Sequence, residues 1–335
     1  MPTVSVIIPT LNAAQYLDEC LASIRAQDYP TDLVQVIIAD AGSTDRTLVI
    51  AQSHGVDMIV PNPLRTGEAG KACALRAASG ELILSVDSDN VLVGTDWLRR
   101  MVAPFGDGEV WATQALRFAY RRSDPPMFRY HALLGAGDPL AIYIGNYDRL
   151  SALTGQWTGC PHHSERRNGW IRVTLDSGAI PTLGANGFMF RRSVLPESTV
   201  NDPYFFDIDV AADLVLAGQH TIGIVDVPIR HYFCRDLRVY HRKTRRRIDD
   251  FMFHRSTGGR TYPWTRSRAG ILRFVLSTVL VVPLLVDVQR GLRRVPDPAW
   301  WLHLPVCVMT LGIYAAGVLR GLRRPRELDR SNWRQ

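Results

Sequence analysis

Along the first ninety residues, short aliphatic runs alternate with apolar positions at helical spacing. Val4-Ser5-Val6-Ile7-Ile8 is stopped by Pro9 and Thr10, and Leu33-Val34-Gln35-Val36-Ile37-Ile38-Ala39 is closed by Asp40. Both read as buried strands. Between them, Leu17, Cys20, Leu21 and Ile24 share one helix face. A glycine turn with cap-type residues, Ala41 to Thr47, opens a second helix. Val56 to Val60 is a short third strand, and Gly67-Glu68-Ala69-Gly70-Lys71 leads into a helix expected to end near Gly80. The next strand, Glu81 to Val86, runs into Asp87-Ser88-Asp89-Asn90. This alternation predicts βαβ units and an α/β fold with a mostly parallel sheet, whose ligand crevice lies beyond the carboxyl ends of the strands. Pro9, Thr10, Asn12, Asp40 and the Asp87/Asp89 pair all fall there, with Lys71 close by.

Residues i and i+2 of a strand face the same way, so Asp87 and Asp89 are set to converge on one hard cation. Mg²⁺ or Mn²⁺ takes such oxygen ligands together with substrate phosphates. An isolated D-x-D is more often a turn closing a strand, but this one has company. Asp45, by contrast, reads first as a helix cap.

The pattern weakens from Val110 to about Pro181 and returns at Ile180 to Arg192, where Gly184, Asn186 and Gly187 precede an apolar strand. Small residues at such a point let a substrate approach the backbone, and they equally suit a tight turn. In Phe205 to Gly218, Val210, Leu214 and Ala217 share a helix face and Gly218 terminates it. Asp207 and Asp209 sit at its amino end, where the helix dipole alone would favour carboxylates. His231 follows a strand over Ile222 to Pro228.

Charge divides the chain. Residues 231–335 carry 21 Lys+Arg against 7 Asp+Glu, a balance of +14, while residues 1–230 balance at −7. Hydrophobic content of 46% and charged content of 21% exclude a disordered chain. Five scattered cysteines with no C-x-x-C spacing imply neither a disulfide framework nor a zinc site, and Cys160-Pro161-His162-His163 reads as a loop. The amino terminus lacks the basic n-region and cleavage site of a signal peptide, so the catalytic part is expected in the cytoplasm.

Val6-Ile7-Ile8-Pro9-Thr10-Leu11-Asn12, Ile38-Ala39-Asp40-Ala41-Gly42-Ser43-Thr44-Asp45, Gly70-Lys71-Ala72 and Asp87-Ser88-Asp89 occur in the order and spacing of family-2 glycosyltransferases of GT-A fold, which this sequence resembles. Ala41 departs from the family's paired acids at that turn. The resemblance implies an inverting transferase that uses a nucleotide-diphospho-sugar. It implies Pro9, Thr10, Asn12 and Asp40 at the nucleoside, with Asp40 at a uracil edge and hence a UDP-sugar favoured. Lys71 would lie at the diphosphate, Asp87 and Ser88 at the ribose or sugar, and Asp89 at the metal, with His231 completing it. Gly184, Asn186 and Gly187 would lie on the acceptor side. Asp207 would be the general base, with Asp209 the alternative because Phe206 replaces the usual preceding acid.

Downstream, Arg235 to Ile248 is dense in cations. Nucleic acid is one reading of such a run. Two apolar segments further on point instead to an anionic bilayer or a lipid-linked phosphate, and no nucleic-acid partner is expected. Ala299 to Leu319 reads as a transmembrane helix flanked by tryptophans and arginines. The segment between Arg273 and Asp287 has only 13 uncharged residues with Pro283 inside, so it spans if its flanking charges snorkel and is otherwise interfacial.

The expected organisation is therefore a nucleotide-sugar half (1–109), an acceptor half (110–232), a basic membrane-interface segment (233–268), a two-helix membrane hairpin (269–320) and a cytoplasmic tail (321–335). A lipid-linked acceptor such as a polyprenol phosphate or lipid-linked saccharide follows from that tether. Absence of a Q-x-x-R-W motif, the mark of processive synthases in the family, favours single addition. A sugar nucleotidyltransferase and a non-catalytic basic membrane adaptor are the other classes compatible with these residues.

Overall fold

Each predicted amino-terminal strand is present. The computed structural model describes residues 1–262 and 267–321. In chain order it runs β1 (Val4–Thr10), α1 (Ala14–Arg25), β2 (Val34–Asp40), α2 (Thr47–Ser53), β3 (Met58–Pro61), α3 (Gly67–Ala77), β4 (Leu82–Ser85), β5 (Asn90–Leu92) and α4 (Trp97–Val102). There follow β6 (Ala112–Ala119), α5 (Pro126–Leu134), α6 (Pro139–Ile144), β7 (His162–Arg167), β8 (Trp170–Leu175), β9 (Phe188–Arg191), α7 (Glu197–Asn201), α8 (Asp207–Leu216) and β10 (Thr221–His231). Four helices complete the described residues: α9 (Leu237–Ser256), α10 (Arg268–Leu280), α11 (Val282–Arg294) and α12 (His303–Gly321).

Two compact units divide these elements. The first comprises residues 1–116 and 161–231 and contains the sheet, ordered β3-β2-β1-β4-β9-β6-β10-β8-β7, with β5 paired to β10. Its β3-β2-β1-β4 half is parallel, as buried aliphatic runs joined by helices require. Beyond β4 the pairings with β9, β8 and β7 are antiparallel. Val6, Ile7, Ile8, Val36, Ile37 and Ile38 are fully buried, and α1 buries Leu17, Cys20, Leu21 and Ile24 as their spacing predicts. Helix α3 lies close on β1: a Cβ on Gly70 would come within 2.7 Å of Pro9 Cβ. That contact fixes the helix carrying Lys71 against the strand end carrying Thr10. His162 and His163 lie on β7, not in a loop.

The second unit comprises residues 117–160 and, among the described residues, 232–321. Its core joins Tyr130, Leu134 and Tyr147 to Tyr240, Val288, Trp300 and Val306. Only one described helix is long and apolar enough to cross a membrane, Pro298–Gly321, with mean hydropathy 1.8. The first expected span is not one helix. It breaks between α10 and α11 with a bend of 97°, at Val281 with φ of 62°. Pro283 explains the break, since it has no N–H to continue the helix and its ring crowds the preceding turn. The expected tail beyond residue 321, and residues 263–266 of the basic segment, lie outside the described residues.

Candidate active site

Three strand ends and two helix starts build the site within the sheet-containing unit. At the end of β2, Asp40 is buried and accepts hydrogen bonds from Thr10 Oγ1 (2.9 Å), Gly42 N (2.9 Å), Ser43 N (2.8 Å) and Ser43 Oγ (2.5 Å). A carboxylate offers about four lone-pair sites, so these contacts use its accepting capacity. Asp40 therefore shapes the 41–43 turn, and a base edge could reach it only by displacing a hydroxyl. Asn12, at a φ of 49°, accepts from Thr44 N at 2.9 Å and its own N–H donates to Ser43 Oγ at 2.8 Å, tying the β1 and β2 loops together. Asp45 accepts from Thr47 N at 2.9 Å and from Ala14 N at 3.1 Å, which matches a structural reading of that residue. Ser88 is buried beside the acidic pair.

Beyond β4 the chain turns into β5, whose Asn90 pairs with His231 of β10. This pairing brings Asp87, Asp89 and His231 together, with one ligand atom from each within 4.8 Å of the others. His231 Nε2 lies 3.5 Å from Asp89 Oδ1. Two carboxylates and one imidazole, all half-buried, fit Mn²⁺ or Mg²⁺ with positions left for phosphate oxygens. Sequence reasoning missed Asn90. Its Oδ1 accepts from Asp87 N at 3.1 Å, and its Nδ2 donates to Asp89 Oδ1 at 3.3 Å and to Asn186 Oδ1 at 3.1 Å. Fully buried, it holds the D-x-D loop and the 184–187 loop in register. The signal was available: a polar residue closing an acidic turn before a strand needs buried partners.

Lys71 and Asp207 meet across the crevice. The Lys71 ammonium donates to Asp207 Oδ2 and lies 3.5 Å from Asp87 Oδ1, with Lys71 and Asp207 side chains only 7% and 8% exposed. Ser85 Oγ donates to the other oxygen of Asp207 at 3.4 Å. Burial pushes the Asp207 carboxyl up to about 6 against the pull of Lys71, and Asp87 adds to the rise. Burial also works against the Lys71 ammonium, but Asp207 and Asp87 outweigh it and hold the lysine above its ordinary value. Asp209 is buried in the same helical turn and is not part of this ion pair.

The 184–187 loop is built for close approach. Gly184 has φ of +121°, and a Cβ there would stand 2.6 Å from Asp207 Cβ. Gly187, at φ +82°, would collide with Ile229 at 2.7 Å. We expect Gly184→Ala to destabilise the fold by about 1–3 kcal/mol through left-handed strain and this clash. It should also displace Asp207, so thermal unfolding and turnover should fall together.

The sequence profile of glycosyl transferase family 2 matches residues 5–197, more than half of the chain. The chain belongs to glycosyl transferase family 2. The matched region takes in the Thr10, Asp40, Lys71, Asp87/Asp89 and Gly184–Gly187 positions and stops short of Asp207 and His231. Among curated relatives of this family-2 glycosyltransferase is an N-acetylglucosaminyltransferase of Bradyrhizobium elkanii, 35% identical over 131 residues, covering 37% of this chain and 71% of that protein. A second is the poly(ribitol-phosphate) beta-N-acetylglucosaminyltransferase TarS of Staphylococcus aureus, 37% identical over 93 residues. There the match covers 26% of this chain and only 16% of TarS. Among solved structures, the mannosyltransferase PcManGT from Pyrobaculum calidifontis, in complex with GDP-Man and Mn²⁺, aligns with a TM-score of 0.54 at 18% identity. It covers 95% of this chain and 88% of its own, and the likeness shows the GT-A fold.

Proposed function

We propose that this family-2 glycosyltransferase moves a sugar, with inversion and by single addition, from a nucleotide-diphospho-sugar to a lipid-linked acceptor such as a polyprenol phosphate or a lipid-linked saccharide. The observation that carries the reading is the convergence of a buried base and a buried cation, Asp207 and Lys71, beside the Asp87–Asp89–His231 group. Thr10 and the turn organised by Asp40 form the wall where a nucleoside would lie, and a UDP-sugar is the donor we favour. Lys71 would stabilise charge on the diphosphate as the glycosidic bond breaks. With a lipid-linked saccharide, Asp207 would accept the acceptor hydroxyl proton while that oxygen attacks the anomeric carbon from the face opposite the leaving group; a polyprenol phosphate would attack through an already ionised phosphate oxygen and would not call on this proton transfer. Asp89, His231 and Asp87 would hold a divalent ion, which would supply Lewis-acid neutralisation of the departing diphosphate. The basic helix α9 and the apolar helices after it support an acceptor presented at a membrane.

The test is release of nucleoside diphosphate from UDP- and GDP-sugars by the full chain in lipid with polyprenol phosphate. Release should require Mn²⁺ or Mg²⁺ and stop with EDTA. The Asp89→Ala/His231→Ala variant should need about 10- to 100-fold more metal for half-maximal activity, in line with the usual cost of damaging a metal site. Nucleotide binding without release from any donor would overturn the acceptor class. Pyrophosphate as the product would identify a nucleotidyltransferase instead.

A further inference from the structure

The second unit presents a continuous apolar knuckle where α10 meets α11. Leu276, Val279, Leu280 and Val282 are 50–67% exposed, and Leu272 and Val286 continue the patch on either arm. Charges stand back from the apex. Arg268 and Arg273 lie on the far part of α10, and Arg290, Arg293 and Arg294 on the last turns of α11. All five are exposed. The acid between them, Asp287, is turned inward, accepting from Tyr143 Oη at 2.8 Å and from Arg290 at 2.9 Å. An apolar apex with a rim of exposed arginines is complementary to an anionic bilayer surface.

Geometry limits how far this knuckle can go. From Val282 to Arg290 is about 12 Å of helix at 1.5 Å per residue. One leaflet's hydrocarbon is about 15 Å, half of a bilayer core. The 97° bend sets α11 at about a right angle to α10, so the two arms form no straight span. The apex can therefore enter one leaflet with the arginines at headgroup level, and it cannot cross.

Helix α12 has the composition of a span but not its surroundings. It packs along α9, where Gly317 stands so close that a Cβ would come within 2.4 Å of Ile248 Cγ2. Polar groups of the protein tie α12 down along its length. His303 Nδ1 pairs with Tyr130 Oη at 2.8 Å, and Thr310 with Tyr240 Oη at 2.6 Å. Tyr314 Oη donates to Asp138 at 2.9 Å, and Arg320 donates twice to Asp249 at 2.8 and 3.0 Å. Its neighbour α9 exposes Arg242, Arg245 and Arg247. A helix so placed in hydrocarbon would take two carboxylates and a row of guanidiniums with it, at high cost.

We propose that the protein is monotopic: the α10–α11 knuckle enters one leaflet of an anionic phospholipid bilayer, and α12, held to its unit along one face, remains outside the hydrocarbon. This deepens the functional reading, which supplies the reason for a membrane-facing acceptor side, but it stands on a separate surface.

Flotation of the full chain with phosphatidylcholine vesicles, with and without phosphatidylglycerol, tests it. Circular dichroism and UDP binding would be followed on the same samples. Binding should require phosphatidylglycerol and fall at least tenfold in Val279→Asp/Val282→Asp, with the far-UV spectrum and nucleotide binding unchanged. The Arg290→Gln/Arg293→Gln pair should weaken it several-fold. Val308→Asp/Val318→Asp, on the exposed face of α12, should float as the parent does. Loss of flotation in the α12 variant with the knuckle variant unaffected would overturn the proposal in favour of a spanning helix. Equal binding to neutral vesicles would overturn the arginine rim. Loss of UDP binding in the parent, with flotation intact, would count against the functional reading and leave the membrane surface standing.

Discussion

Replacing Asp207 with Asn is expected to lower transfer to a saccharide hydroxyl by roughly 10²- to 10⁴-fold, the usual worth of a positioned general base. Affinity for the nucleotide should hold or rise, because the Asn side chain no longer competes with the diphosphate for Lys71. The pH profile gives an independent readout. Burial raises the Asp207 carboxyl to about 6, so the folded enzyme takes up its proton at higher pH than a free aspartate would. A base must be ionised to act. Turnover should therefore be present above about pH 6 and decline as pH falls through that value. Retention of activity by the Asn variant would move the base to Asp209.

Removing Lys71 should have an effect of similar size through two routes. Lys71→Met deletes the cation placed for the diphosphate, which corresponds to about 10²- to 10³-fold in turnover for loss of one preorganised donor. It also strips Asp207 of its partner inside the protein, and breaking a buried ion pair from one side costs about 3–5 kcal/mol. The sign of the pH dependence follows. With Lys71 gone, burial and Asp87 act on Asp207 unopposed and its carboxyl rises further above the unfolded value. The destabilisation is then largest where Asp207 is charged and is relieved as pH falls and the group is protonated. Denaturation of parent and variant at pH 8 and pH 5 should show the gap narrowing at the lower value. The acid limb of the residual activity should move upward. A gap independent of pH would mean that Lys71 contributes by packing alone.

The Lys71–Asp207 pair also bears on the order of events. In the reading proposed above, the cation that would meet the donor holds the base that would serve the acceptor. A diphosphate that drew Lys71 away would leave Asp207 available to an acceptor hydroxyl, so donor would precede acceptor.

Much of the donor half was legible because its signals are local. Aliphatic runs closed by Pro9-Thr10, Asp40 and Asp87 mark strand ends within a few residues, and a parallel sheet gathers strand ends on one edge. What escaped depends on partners far along the chain. The three-residue strand β5 is too short for any periodicity, yet it sets Asn90 opposite His231. Residues 117–160 belong with the carboxyl-terminal helices, and no spacing rule reports which distant segment a helix packs against. The hydropathy of α12 was readable, whereas its bonds to Tyr130, Tyr240 and Asp138 were not. Pro283 was visible as a breaker, and the bend at Val281 is its structural consequence.

The pairing of β5 with β10 has a consequence for how the protein is assembled. Residues 90 and 231 must find one another before the imidazole can join the two carboxylates. Contacts of such sequence separation close late and at an entropic cost that local structure cannot supply. A fragment ending near residue 197, where the recognisable family sequence ends, would keep both aspartates yet lack His231 and Asp207. Metal affinity at the proposed site would thus be a readout of completed folding: an ion bound by all three groups would favour only the finished sheet, and its occupancy should rise and fall with the native population.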